Sequence, residues 1–430
     1  MTTRVLAALL LLAPLSLSHA QDSLQLGALQ ASAARRDPRG RELELLTAQS
    51  RLRQLNLDAE RKPVLSIESQ AQYQSDVAQI PITLPNGQSP PTPPHDTYDA
   101  RVVAQQRIYD PSLAPRRAVE DAQLAESQAR LRVALFGVRQ GVNDLYFAAL
   151  RTQSQLAELE TTITDLEAQL RVAAARVKEG AALPSEELTF RAELLKRRES
   201  AAELDATRRA TLESLASLTG GTFDSTSRFA TPLLTDDVGR ARAGLGDART
   251  RAEYEQFARM RELLARQEEA RGAQEKPRIS AFGRVGYGRP GLNPLASSFD
   301  TYWLAGVQMQ WTPFSWGAAS RDREVLALQR QVVSAEEQNF TETLRRGVHQ
   351  DLASIDRLAA TLRTDDEIVA LREQIATETR ARYREGVITS AEFVDKDTDV
   401  LSARIARALH RVELAQARAR FLTTLGIEVR

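Results

Sequence analysis

The sequence predicts a mainly α-helical chain with a membrane β-barrel part, built as two tandem repeats of a strand pair plus a long helical hairpin. Three observations predict this. A register recurs at 206 residues: Gly180 with Gly386, Gly220 with Gly426, and Arg139-x-Gly141-Val142 with Arg345-x-Gly347-Val348. Four segments alternate apolar and polar residues so that each has one apolar face. Between them run long stretches whose apolar residues are spaced alternately by four and three, the heptad of helices that pack along a seam. An offset held this long marks a duplication, and repeats set the frame for the rest of the reading.

The first residues, MTTRVLAALLLLAPLSLSHAQ, join a basic Arg4 to an apolar run and small residues up to Ala20. Residues 1–20 are therefore expected to be a secretory signal peptide, too short to span a membrane as a mature helix. The chain has no Cys, which excludes disulfides, thiolate chemistry and the usual lipid attachment after the cut. Its 57 basic and 57 acidic residues cancel, so no electrostatic signal points to nucleic acid. No later segment has the roughly 18 consecutive apolar residues of a membrane helix.

The first repeat is assigned residues 21–220. It opens on a helical region over about 24–60, dented by RRDPRGRE and stopped by Pro63. A strand follows in KPVLSIESQAQYQSD, where Leu65, Ile67, Ala71 and Tyr73 share one parity. The Pro-rich SDVAQIPITLPNGQSPPTPPHD is a loop, because proline cannot sit in a helix interior or a central strand. The partner strand carries Tyr98, Ala100, Val102, Ala104 and Ile108 on one face. A helix is expected from about Ser112 to Val177, with only Thr152 interrupting its seam, and at 1.5 Å per residue it would be on the order of 100 Å long. The return helix runs from about Pro184 to Leu218.

Residues 221–246 read as an irregular inter-repeat linker, and 247–430 as the second repeat. There Lys276-Pro277 echoes Lys62-Pro63. Two further strands follow, one with Ile279, Ala281, Val285 and Tyr287, the other with Phe299, Trp303, Val307, Met309 and Trp311 on the apolar side. A long helix to Arg384 and a last one from about Thr389 to Leu425 complete it.

Each strand has about the 9–11 residues that cross a bilayer at a tilt, with aromatics near its ends, as interfacial girdles require. The residues assigned to lipid-facing strand faces are Leu65, Ile67, Tyr73, Val102, Val307 and Trp311. Four strands in lipid would leave open edges whose backbone groups find no water. Barrels begin at about eight strands, so several chains must share one. Two chains or three would satisfy that condition. A small soluble sheet packed on a helix is the competing reading, but helices with narrow seams lack the broad apolar face such a sheet needs.

At the tips, REGVITSAEF and KEGAALPSEEL each break a helix at a glycine able to take the positive φ that ends one. Thr389 with Glu392 fits a capping box, and Pro184 an N1 start. This plan, and above all ARYREGVITSAEFVDKDTDVLSARIARALHRVELAQARARFLTTLG at 381–426, resembles the TolC-type outer-membrane efflux proteins over nearly the whole mature chain. The resemblance implies a homotrimer with one twelve-stranded barrel in the outer-membrane lipid and a coiled-coil tunnel in the periplasm. It implies a duct of a tripartite efflux or type I secretion system, docking on a periplasmic adaptor (membrane fusion) protein and an inner-membrane transporter. It also implies that the glycine breaks are periplasmic tips where the tunnel narrows, with Gly180, Glu186, Tyr383, Gly386, Thr389, Glu392 and Asp395 at the constriction. One departure stands out: Ile388 occupies a place where some members carry a gating Arg.

No catalytic constellation is found. Three His follow position 20 (His95, His349, His410) without an H-E-x-x-H or a Cys partner, so no enzyme, metal site or cofactor is expected. A secreted or periplasmic coiled-coil scaffold, or an adaptor without a channel, would account for the heptads but not for four amphipathic strands in matched pairs. Replacing Leu65 or Val307 with Arg is expected to cost about 2–4 kcal/mol at mid-bilayer. Outer-membrane yield of each variant measures it, and wild-type yield would rule out lipid at that position.

Overall fold

In the computed structural model the described residues are 24–78, 91–244 and 251–428. The proposed signal peptide and most of the Pro-rich loop lie outside them. The elements run α1 (Leu26–Arg36), α2 (Arg39–Ala59), β1 (Val64–Tyr73), β2 (Asp96–Tyr109), α3 (Leu113–Lys178), α4 (Pro184–Thr219), α5 (Thr235–Ala243), α6 (Ala252–Gln274), β3 (Arg278–Arg289), β4 (Asp300–Gln310), α7 (Ala318–Arg384) and α8 (Ser390–Leu425). The chain forms two compact units, one drawn from Met1–Asp37, Phe136–Ala248 and Arg346–Arg430, the other from Pro38–Leu135 and Arg249–Arg345. Each sequence half therefore contributes to both units.

The second unit holds one antiparallel sheet in the order β1-β2-β3-β4. The register puts Ile67 opposite Val102, Val102 opposite Val285, and Val285 opposite Trp303. These residues belong to one parity set, so one face of the sheet is apolar across all four strands. That face is bare: Leu65 is 73 % exposed, Ile67 84 %, Trp303 73 % and Val307 68 %. The opposite face is polar, where Arg101 donates to Glu68 at 2.8 Å and to Asp99 at 3.0 Å, and the Tyr302 hydroxyl donates to Asp99. Two glycines make room there, since a Cβ on Gly286 would meet the Tyr302 ring at 2.6 Å and one on Gly306 the Phe282 ring at 2.9 Å. Trp311 stands one residue past β4 rather than on it. β3 starts at Arg278, whose partner is Gln310, so nothing remains for Trp311 to pair with, and its indole N–H donates to the Glu275 carbonyl instead.

The first unit is helical around a core that includes Val142, Tyr146, Leu215, Val412, Phe421 and Leu422. The α3 seam is buried where the heptad places it, at Val142, Ala149, Leu156, Leu159, Leu166 and Ala173. Thr152, the exception in that seam, is also buried and satisfies its hydroxyl on the Ala149 carbonyl one turn back. A buried polar chain links three elements: Gln30 donates to Asn143 at 2.6 Å and Asn143 to Thr423 at 3.0 Å. Such a chain favours one register of α1, α3 and α8, because a slip would bury unpaired amides.

The stretch expected as an irregular linker is more ordered than its composition suggests, and that reading is corrected. It contains α5, with Asp236 and Asp237 in the first turn and Arg240 and Arg242 in the last, matched to the helix dipole. Val238 and Ala241, three apart, are its buried residues; nine residues are too few to show a period. Side chains clamp the segment before it. Gln153 accepts from the Phe229 N–H and donates to its carbonyl, and the Arg208 guanidinium donates to the Ser225 and Ser227 carbonyls. The Tyr146 hydroxyl lies 2.8 Å from the Leu24 carbonyl and 2.5 Å from that of Ala230. Burial pushes this hydroxyl well above the usual tyrosine range.

Replacing Tyr146 with Phe leaves both carbonyls without that donor, at a cost of about 1–3 kcal/mol. Limited proteolysis within 221–244 is expected to accelerate by roughly five-fold or more, while the heptad helices stay resistant.

Candidate functional site at the hairpin tips

The glycine breaks are built alike. Gly180 and Gly386 both sit at φ 74°. In each, the N–H after the glycine reaches back five residues, Ala181 to Arg176 at 2.8 Å and Val387 to Arg382 at 2.9 Å. The glycine N–H bonds three residues back, to Val177 and Tyr383, both at 3.0 Å. This is the Schellman closure, which needs a residue without a Cβ penalty at positive φ. Gly426 ends α8 in the same way, with Ile427 bonded to Leu422. The restarts differ: α4 begins on Pro184 without a side-chain cap, whereas Thr389 accepts from the Glu392 N–H at 3.2 Å.

Behind the turns lies a second, smaller core of Leu166, Ala173, Phe190, Leu194, Tyr383 and Phe393. The three rings pack with centroids 5.1–5.9 Å apart, in the range where aromatic pairs add to simple burial. The Tyr383 hydroxyl donates to Glu186. Arg176 donates to the same Glu186 oxygen at 3.1 Å and lies over the Tyr383 ring at 5.8 Å. One carboxylate thus ties the end of α3, the start of α4 and the end of α7. Burial first, and then the hydrogen bond and charge of Glu186, push the Tyr383 hydroxyl well above its usual range, with Arg176 opposing.

Of the residues expected at the tips, Glu186 and Tyr383 meet directly. Glu392 and Asp395 do not join them; both are exposed on the first turns of α8. Asp395 accepts from Lys396 at 2.9 Å, and Asp399, one turn further along, from Arg372 at 2.6 Å. Ile388 packs at the edge of the aromatic cluster with Val394, so its side chain belongs to an apolar contact that an Arg could not share. Phe190, Phe393 and Arg176 were not singled out from sequence. An aromatic four residues after the Thr389 cap was the available signal for Phe393. Asp397, also missed, is held above the usual carboxylate range by burial, against the pull of Arg380.

Among the described residues no group of His, Cys, Asp and Glu could hold a metal ion, and no helix is long and apolar enough to cross a membrane. This combination of an open-edged amphipathic sheet with glycine-closed helical hairpins is the fold of the TolC-type outer-membrane channels. CusC, whose crystal structures concern folding and transmembrane channel formation, matches with a TM-score of 0.70 at 15 % identity, over 94 % of this chain and 93 % of that one. The outer-membrane channel OprN matches at 0.66 and 17 % identity, over 93 % and 89 %. The outer-membrane protein VceC of Vibrio cholerae matches at 0.65 and 15 % identity, over 94 % and 97 %. No family model matches the sequence, and no curated protein matches it either.

The raised Tyr383 pKa fixes a pH dependence. The unfolded hydroxyl ionises near 10, the folded one later. Its contribution to stability is therefore complete below pH 10 and is lost as pH rises from there through the folded value. Ultraviolet titration is expected to show Tyr146 and Tyr383 ionising above the usual tyrosine range. Tyr383→Phe should remove one late ionisation and flatten the alkaline decline of tip stability.

Proposed function

We propose that the chain is the outer-membrane duct of an efflux or type I secretion assembly. Three copies close a twelve-stranded barrel, and the hairpins of residues 21–220 and 247–430 line a periplasmic tunnel after removal of a signal peptide at 1–20. The tips around Gly180 and Gly386 meet a periplasmic adaptor protein, which hands over cargo from an inner-membrane transporter. The single observation that carries this reading is the sheet: Val102, in the middle of its apolar face, is 48 % exposed, and β1 and β4 are edges without a partner strand among the described residues. In water that face and those edges would aggregate. In lipid the edges must close, and only other copies can close them.

The tips contribute the gate. Glu186, tied to Tyr383 and Arg176, holds the two hairpins of one copy together. Glu392 and Asp395, exposed on α8, supply carboxylates which, repeated around a threefold axis, attract cations at the narrow end. CusC, OprN and VceC set the precedent for the fold, and their membrane location supports the same location here.

Outer-membrane fractionation, heat-modifiable migration in detergent and a native mass of three copies test the duct; a stable, detergent-free monomer would refute it. In planar bilayers, replacing Glu392 and Asp395 together with Ala is expected to weaken block by divalent cations several-fold. Unchanged block would remove these acids from the constriction.

A further inference from the structure

The strands carry five arginines: Arg101, Arg107, Arg278, Arg284 and Arg289. Four lie against carboxylates. Arg101 meets Glu68 and Asp99, Arg107 meets Glu60 and Asp110, Arg278 meets Asp110, and Arg289 meets Asp96. Arg284 meets none among the described residues, and its buried Nε makes no hydrogen bond. Its strand parity puts it on the polar face with Arg101 and Tyr302. Its cross-strand partners there are Val103 on β2 and Leu304 on β4, neither able to accept a hydrogen bond through its side chain. Along β3, Phe282 leans over Gly306 and Tyr302 over Gly286, so apolar rings flank the guanidinium.

A second copy does not fill the gap beside it. Both neighbours of β3 are strands of the same chain, and an adjoining copy can add a strand only at the β1 or β4 edge. Arg284 thus remains a full charge without a counter-ion among the described residues, on the face that the duct reading turns toward the lumen. Guanidinium is the cation best suited to carboxylate and phosphate oxygens, through its fork of donors. Rings of such side chains favour anions in pores.

Resting on the duct reading, we infer that Arg284 forms an unneutralised cationic ring in the barrel lumen that selects for anionic solutes bearing carboxylate or phosphate groups. The ring lies at the barrel, opposite in sign to the acids at the helical tips.

The absence of cysteine provides the test. Val103→Cys puts a single thiol beside Arg284, and its rates with an anionic and a cationic methanethiosulfonate reagent report the local potential. One unit charge at about 6 Å in a water-like dielectric acts oppositely on the two reagents, which gives about a tenfold change in their rate ratio. On this background, Arg284→Gln is expected to lower the anionic-to-cationic ratio about tenfold, and Arg284→Lys to keep it within about twofold. If both reagents react and the ratio is unchanged in Arg284→Gln, the ring is refuted while the water-lined face stands. If the thiol reacts only after unfolding, the polar face does not line water, and the ring and the duct fall together.

Discussion

The rest of the structure depends on one constraint: a four-stranded sheet with an apolar outer face cannot satisfy its own edges. Antiparallel pairing consumes the inward-facing backbone groups of β1 and β4 and leaves their outward rows of N–H and C=O groups open. In lipid each such group would cost several kcal/mol. In lipid, assembly would then be a condition for the sheet to exist, not a later refinement of it. The same constraint explains why each repeat supplies two strands and not one: the two hairpins meet at the β2–β3 boundary and become one continuous surface.

The helices answer a different requirement. Their seams are narrow, and polar side chains help lock register: Gln30, Asn143 and Thr423 in one hydrogen-bonded chain, and Glu186 shared by Arg176 and Tyr383 in another. These polar locks are placed where apolar packing alone would allow sliding, since a heptad seam looks nearly the same one repeat along. Duplication set the backbone, and the two halves then diverged in side chains. The glycine closures are alike to a tenth of an ångström in their hydrogen bonds, yet the helix starts beyond them use Pro184 in one half and Thr389 in the other.

Much of the fold was legible because it is periodic. The parity of Ile67, Val102, Val285 and Trp303 gave the sheet face before any pairing was known, and Gly180 and Gly386 marked both breaks. The α1–α2 boundary fell at Asp37-Pro38, where the proline ends a helix. What escaped was aperiodic. The nine residues of α5 are too short to show a repeat, and the Tyr146 and Arg208 clamps act on backbone carbonyls that no sequence pattern names. The tie between Glu186 and Tyr383 joins positions nearly two hundred residues apart. At the tips a family likeness picked out Glu186, Tyr383, Glu392 and Asp395 together, but the structure separates them into one hydrogen-bonded pair and two exposed acids. The bare charge of Arg284 was invisible for the opposite reason: only when the partners of the other four strand arginines are known does the missing one stand out.

The pairing of β2 with β3 has a temporal consequence. Tyr98 lies opposite Arg289, so the ribbon that unites the sheet must wait until most of the polypeptide has been made. During that interval the earlier hairpin, with Leu65 and Ile67 uncovered, lacks its sister hairpin. Contacts this distant in sequence form slowly and leave sticky surface exposed meanwhile.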